Sequence, residues 1–354
     1  MAYKDKEPAK AASVRSTNKK NRGKPLLVVA IVLLILIILF SIGAIIIQGK
    51  LNKIRRADNT VVVPPDEVVD EIDPEDEIDP ELKPPEVKEE EITWAEVDEI
   101  ENEDLINIVL VGQDSRTGAR ERSDTMIVVS INPSSGEISM VSFMRDLYVQ
   151  MPEGYMDNRM NAAYALGGFP YLYEVLDKNF GLECVGGFEV NFDGFTQVVD
   201  AMGGVDVELT SAEARIVGEG AVAGMNHLTG SQALSYSRIR KIDSDFNRTN
   251  RQRTVLMALF EKVKGADLST LTNLSNTLLP MMTTDMTNAQ ILSLLMKLAP
   301  MMSNMKLKSY RIPVDGGYYN ATIRGMMVLV PDLEMNREQL KTFLPYSENT
   351  DTTG

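Results

Sequence analysis

Leu26 to Ile47 is a run of 22 residues without a charge, almost all Leu, Ile and Val. As a helix it spans roughly 33 Å, which matches a hydrocarbon core of about 30 Å. A core helix rarely runs so long without a polar side chain. A cleaved signal peptide has a shorter apolar stretch, about 7–15 residues, and ends at small residues. Here the run ends in Gln48-Gly49-Lys50-Leu51-Asn52-Lys53, so a retained anchor over residues 25–48 is expected. Eight cations precede it, with Lys19, Lys20, Arg22 and Lys24 nearest. Four follow: Lys50, Lys53, Arg55 and Arg56. The excess predicts a single-pass protein with a cytoplasmic N-terminus and everything after the span outside the cell membrane. The basic tail, residues 1–24, has no apolar period and is expected to be disordered.

Charge divides the rest. The chain of 354 residues has net charge −15, which argues against a nucleic-acid partner. Residues 1–56 carry +10, residues 57–104 carry −19, and the remainder only −6. The acidic block holds six Pro and the near-repeat Glu71-Ile72-Asp73-Pro74 and Glu77-Ile78-Asp79-Pro80. Proline and mutual repulsion extend such a chain, so residues 49–104 read as a solvated stalk; a cation-binding or wall-binding segment is the alternative. Thr93-Trp94-Ala95-Glu96 fits a capping box and predicts a short helix start. Residues 347–354 are expected to be a disordered tail.

From residue 105 to 346 strands and helices interleave. Ile106–Gly112, Thr125–Ile131 and Glu137–Ser142 read as strands, the last two joined by Asn132-Pro133-Ser134-Ser135-Gly136. Further strands are expected at Glu189-Val190, Val205–Val207, Lys306–Ile312 and Met326–Val330. Helices are expected at Tyr171–Asn179, Phe195–Ala201, Ser231–Ser237, Asn247–Lys264, Ala289–Leu298 and Arg337–Phe343. The pattern predicts one α/β domain with a mixed central sheet flanked by helices.

No phosphate-binding glycine loop and no nucleophile elbow is present. The single His, His227, reads as a structural loop residue, and the single Cys, Cys184, as an inert buried thiol. What stands out is Arg with Asp at strand ends: Asp114-Ser115-Arg116, Arg122-Ser123-Asp124-Thr125, Arg145-Asp146, Arg238-Ile239-Arg240, and Asp245 through Gln252 with Arg248 and Arg251. On an extended segment Arg238 and Arg240 would point to one side; on a helix Arg248 and Gln252 share a face. Guanidinium forks suit phosphate oxygens, and two Asp on adjacent strand ends suit a hard divalent cation. Ordinary surface ion pairs are the competing reading.

These residues resemble the LytR-CpsA-Psr family of bacterial cell-envelope enzymes. The resemblance adds Arg159-Met160-Asn161-Ala162-Ala163-Tyr164, Gly167-Gly168, Asp200 through Val207 and Leu228 through Leu234, and it runs from about Ile106 to Leu344. It implies a phosphotransferase that moves a glycopolymer from a polyprenyl pyrophosphate carrier to peptidoglycan and releases polyprenyl phosphate. The polymer would be wall teichoic acid, capsule or another wall glycan. By motif match Asp114 and Asp124 would hold Mg²⁺, with Mn²⁺ as the alternative. Arg122, Arg145, Arg238, Arg240, Arg248 and Gln252 would bind the pyrophosphate, and Arg145 and Asp245 would be catalytic. The family usually has Pro where this chain has Met144, which predicts a looser loop there. A lipid-pyrophosphate hydrolase and a non-catalytic envelope regulator are the alternative functions. The carrier needs an apolar channel; Leu278–Met282, Leu292–Leu298 and Met301-Met302 are candidate linings, with ordinary core helices as the other reading.

Overall fold

The computed structural model describes residues 49–68, 83–95, 105–113, 122–239, 268–298 and 306–345, and Arg251, Thr254, Val255, Ala258, Leu259 and Lys262 of a helical stretch. The apolar run 26–47, both expected tails and part of the stalk lie outside these residues. No helix among the described residues is long and apolar enough to cross a membrane.

The strands are β1 Arg55–Arg56, β2 Ile106–Gln113, β3 Ser123–Ile131, β4 Glu137–Phe143, β5 Tyr148–Val149, β6 Asn158–Arg159, β7 Gly186–Asn191, β8 Val205–Leu209, β9 Gly224–Leu228, β10 Met282–Thr284, β11 Lys306–Ile312, β12 Tyr318–Ile323 and β13 Met326–Pro331. The helices are α1 Met160–Phe180, α2 Phe192–Ala201, α3 Ser211–Val217, α4 Gly230–Ser237, α5 Leu268–Leu278, α6 Asn288–Leu298 and α7 Leu333–Phe343. Seven strands form one sheet in the order β1-β10-β7-β2-β3-β4-β11. Its pairings mix parallel (β1 with β10, β7 with β2, β4 with β11) and antiparallel, as the pattern predicts.

The strand alternation explains the layers. On β2, Ile108 and Leu110 face a core shared with Val198 of α2, Ala233 of α4, Leu274 of α5 and Ile291 of α6. Val109 and Val111 face the opposite core, with Tyr164 and Leu172 of α1 and Leu340 of α7. Both faces are covered, so the strand must be apolar throughout, and its sequence is. Between β3 and β4 the Asn132 side chain accepts the amides of Ser134 (2.9 Å) and Ser135 (3.1 Å), and Gly136 takes φ 73°. That closes the turn with residue types suited to it.

Several expectations change. Helix α1 begins at Met160, eleven residues before the predicted start, because Gly167 and Gly168 break it into two segments and hide the period. Strand β12 has no clear alternation in Tyr318-Tyr319-Asn320 and was not expected; it pairs with β13 over a small separate core. His227 lies on β9, not in a loop, and meets the Asp206 carboxylate across the hairpin at 2.7 Å. Hydrogen bonding to His227 holds Asp206 below the usual carboxylate range against a small desolvation effect.

The largest change concerns the stalk. Residues 49–68 and 83–95 are packed on the domain. Leu51 and Ile54 are core side chains, and β1 is an edge strand of the main sheet. Thr322 of β12 donates to Pro85 (2.8 Å) and accepts from Val87 (3.0 Å). Trp94 and Ala95 carry no helix; Trp94 lies over Tyr148 and donates to Asp157 Oδ2 at 2.7 Å. Composition alone missed this because a few apolar anchors are enough to seat a segment whose other side chains stay charged and wet.

Candidate active site

The register puts three of the predicted positions, Arg122, Asp124 and Arg145, at one end of the sheet. Gly112 at the end of β2 lies opposite Thr125 near the start of β3, and Gln113 opposite Ser123, with a bulge between. Met126 of β3 lies opposite Phe143, the last residue of β4. So Arg122 precedes β3, Asp124 occupies the irregular step, and Arg145 follows β4, all within neighbouring strand ends. Such ends are where open α/β sheets bind ligands.

The N-terminus of α1 ties these ends together. Arg122 Nη1 donates to Asn161 Oδ1 at 3.4 Å. The Asn161 amide in turn donates to the Arg145 carbonyl at 3.1 Å. Met160 N donates to Leu147 O at 2.7 Å, which pins the loop after β4 against the helix start. Arg145 Nε donates to Asp146 Oδ2 at 3.4 Å, and the buried Arg159 guanidinium approaches the other Asp146 oxygen at 3.7 Å. Asn161 therefore links the Arg122 guanidinium to the Arg145 backbone, and Asp146 accepts a hydrogen bond from the Arg145 side chain. Asn161, Asp146 and Arg159 were not among the predicted site residues. The signal was present in Arg159-Met160-Asn161 and Arg145-Asp146, but sequence spacing does not reveal that a loop and a helix start meet.

Met144 does not loosen the loop. Its amide donates to the Ile312 carbonyl at 2.9 Å, extending the β4–β11 ladder, a bond that proline cannot make. Below the arginines Tyr164 Oη donates to Glu189 Oε2 at 2.6 Å, between α1 and β7.

Arg238 is placed differently from the expectation. It is an exposed residue ending α4 in helical conformation, on the helix layer that covers the other sheet face. The period-two argument that would align it with Arg240 does not apply. Asp114, Arg240, Asp245, Arg248 and Gln252 lie outside the described residues, as does the Asp124 side chain. Of the predicted metal pair, only the Asp124 backbone is described, at the irregular step of β3 beside the end of β2. Carboxylate oxygens are the hard donors that Mg²⁺ or Mn²⁺ takes. Among the described residues no group of three His, Cys, Asp or Glu could hold a metal ion.

Other motif residues are scaffold. Arg251 Nε donates to Glu213 Oε1 at 2.6 Å and Nη1 to Ile239 O at 2.9 Å, both buried. Burial opposes the Glu213 charge, yet the Thr210 amide and hydroxyl and Arg251 together hold it below the usual range. Asp200 Oδ1 accepts the Gly230 amide at 2.7 Å, and Thr229 caps α4 reciprocally with Gln232. Cys184 has its thiol pushed up by burial, with nearby carboxylates adding to it, so it stays protonated. Leu278, Leu279, Met282, Leu294, Leu295 and Leu298 are buried core side chains, which is the ordinary reading of that stretch; Met301 and Met302 lie outside the described residues.

Comparison with known proteins gives a consistent picture. The family model LytR_cpsA_psr matches residues 76–342. A polyisoprenyl-teichoic acid–peptidoglycan teichoic acid transferase TagU of Bacillus mycoides is 36% identical over 186 residues, covering 52% of this chain and 60% of that protein. A TagU of Bacillus cereus is 35% identical over 183 residues, with 51% and 59% covered. The match thus spans less than two thirds of these relatives. Among solved structures, B. subtilis TagV superposes with TM-score 0.54 at 26% identity, covering 70% of this chain and all of that one. TagT bound to LI-WTA has TM-score 0.54 at 24% identity, with 72% of this chain covered, a likeness of fold. The matched region takes in six of the seven strands of the main sheet, the strand-end arginines and both helix layers, and on that basis the chain belongs to the LytR_cpsA_psr family.

Proposed function

We propose that this chain is a membrane-anchored phosphotransferase that moves a glycopolymer, of the teichoic acid class, from a polyprenyl pyrophosphate carrier to peptidoglycan. The observation that supports it most is that Asn161 ties the Arg122 side chain to the Arg145 backbone at the strand ends that also carry Asp124. Their guanidinium groups can bind the two phosphates and stabilise charge as it grows on the leaving one. A sugar hydroxyl of peptidoglycan attacks the glycan-bearing phosphorus, the bond to the bridging oxygen breaks, and polyprenyl phosphate leaves. Phosphoryl transfer asks the protein mainly for position and charge. Arg145 is fixed for this by Asp146 and by the loop's bonds to α1; Arg122 is fixed by Asn161. In this reading Arg238, Arg240, Arg248 and Gln252 would complete the pyrophosphate contacts, and Asp245 or Asp124 would take the hydroxyl proton. Asp114 and Asp124 would hold the divalent metal, which when bound neutralises phosphate charge.

The test incubates purified chain with a glycan-labelled lipid pyrophosphate, Mg²⁺ and peptidoglycan. Label on the wall is the expected result, and Arg145→Ala lowers its rate by about 10²–10³, as loss of one charge-stabilising donor does. Label released only as free glycan phosphate would make the chain a hydrolase. Undiminished transfer by Arg145→Ala in folded protein would remove the site.

A further inference from the structure

We propose that the domain sits directly on the bilayer with the strand-end face, the one bearing Arg122 and Arg145, turned toward the lipid. The inference rests on reading residues 26–47 as a membrane span. Only Gln48, Gly49 and Lys50 separate Ile47 from Leu51, which is 1% exposed in the main core. Four chain steps reach at most about 14 Å, so the core at Leu51 lies within that distance of the span.

The direction of entry follows from the register. Strand β1 runs parallel to β10, Arg55 opposite Thr283 and Arg56 opposite Thr284. Strand β10 runs antiparallel to β7, and β7 parallel to β2, so β10 starts at the end where β2 finishes. One row therefore crosses the sheet: Arg55, Thr283, Glu189, Val111, Met126, Phe143. The chain enters β1 from the side on which Asp124 and Arg145 extend beyond that row. At about 4.8 Å per strand, β1 is roughly 19 Å from β3 along the sheet.

The entry is held rather than tethered. Lys50 Nζ donates to Ser275 (2.6 Å) and Asn276 (3.0 Å) in the last turn of α5, and Lys53 also donates to Asn276 (3.1 Å). Arg55 donates to Pro280 O at 2.9 Å, and Arg56 meets Asn288 at the start of α6. Lys53 and Arg55 remain exposed beside the entry, so it carries cations, the charge that suits anionic headgroups. A lipid diphosphate at headgroup level then meets the arginines without its chain leaving the membrane.

The experiment uses the full chain in phosphatidylglycerol-containing vesicles, with Cys184→Ser as background. A fluorophore is placed at Pro280→Cys, near the entry, or at Ser134→Cys, in the turn at the far end. Ser123 to Ile131 alone accounts for about 26 Å between the two ends. Quenching by a headgroup nitroxide is expected to be several-fold stronger at 280 than at 134. A 20-residue Gly/Ser insert between Gln48 and Gly49 lengthens the tether from about 4 to 24 steps, which lowers the effective concentration at the surface about fifteenfold. Quenching at 280 should then fall to the level at 134. A chain that does not float with vesicles overturns both the span and the orientation. A chain that floats but is quenched equally at both positions, or more at 134, overturns the orientation alone.

Discussion

Arg251→Met should be among the most destabilising single changes in this domain. The Arg251 and Glu213 side chains are 5% and 10% exposed, and the guanidinium also holds the Ile239 carbonyl. Removing one partner of a buried pair leaves an uncompensated charge and typically costs about 3–5 kcal/mol. At roughly 2–4 °C per kcal/mol for 150–250 residues, a 3 kcal/mol loss lowers Tm by about 6–12 °C. Urea unfolding followed through Trp94, the single tryptophan, measures it. Replacing both residues by Met should recover part of the loss, because an apolar pair leaves no buried charge. The pH dependence has a definite sign. Glu213 is held below its ordinary value of 4.5, so its contribution is present above pH 4.5 and is lost as pH falls through the folded-state value. The gap between native protein and Arg251→Met should therefore be full at neutral pH and narrow in acid. A loss under about 1 kcal/mol, or a gap that stays constant into acid, would refute the reasoning. Transfer activity should fall with stability, since Asp245 and Arg248 lie in the chain between Ile239 and Arg251.

Three further outcomes are expected. Gly230→Ala places a Cβ 2.2 Å from the Thr196 carbonyl, so overpacking of about 1–3 kcal/mol should outweigh the helix propensity of Ala, as a thermal melt would show. Chelation of divalent metal should stop transfer and Mg²⁺ should restore it, while Asp124→Asn lowers the Mg²⁺-supported rate about 10²-fold or more, consistent with several kcal/mol from a Lewis acid. Trp94→Phe keeps the ring over Tyr148 but loses the bond to Asp157, for a cost of about 1 kcal/mol by denaturant titration monitored by circular dichroism.

The sheet was legible in the sequence because its central strands are buried on both faces and must be apolar throughout. Ile106–Gly112, Thr125–Ile131 and Glu137–Ser142 agree with β2, β3 and β4 to within a residue or two at their ends. Elements without a clean period were missed: the first half of α1 behind its glycine break, and the half-exposed β12. At the candidate site, residue type singled out Arg122 and Arg145, and the register brings their strand ends together. It could not identify Asn161 as their link, because that contact joins parts of the chain 16 and 39 positions apart. Charge misled most in residues 49–95, where the net −19 of residues 57–104 concealed Trp94 and the cations of residues 50–56 concealed Leu51 and Ile54.

The two-residue strand β1 also closes a sheet edge. On the other side, β11 carries exposed Lys306 and Lys308, which discourage a further strand. On this side β10 has only Arg55 and Arg56 beside it, and the Ala57 amide donating to the Thr284 carbonyl at 2.9 Å. A fragment cut after residue 57 to obtain a soluble enzyme would bare that row of backbone groups and the apolar bed beneath Leu51 and Ile54. Such a fragment should self-associate edge to edge, whereas one beginning at Gly49 carries its own cover.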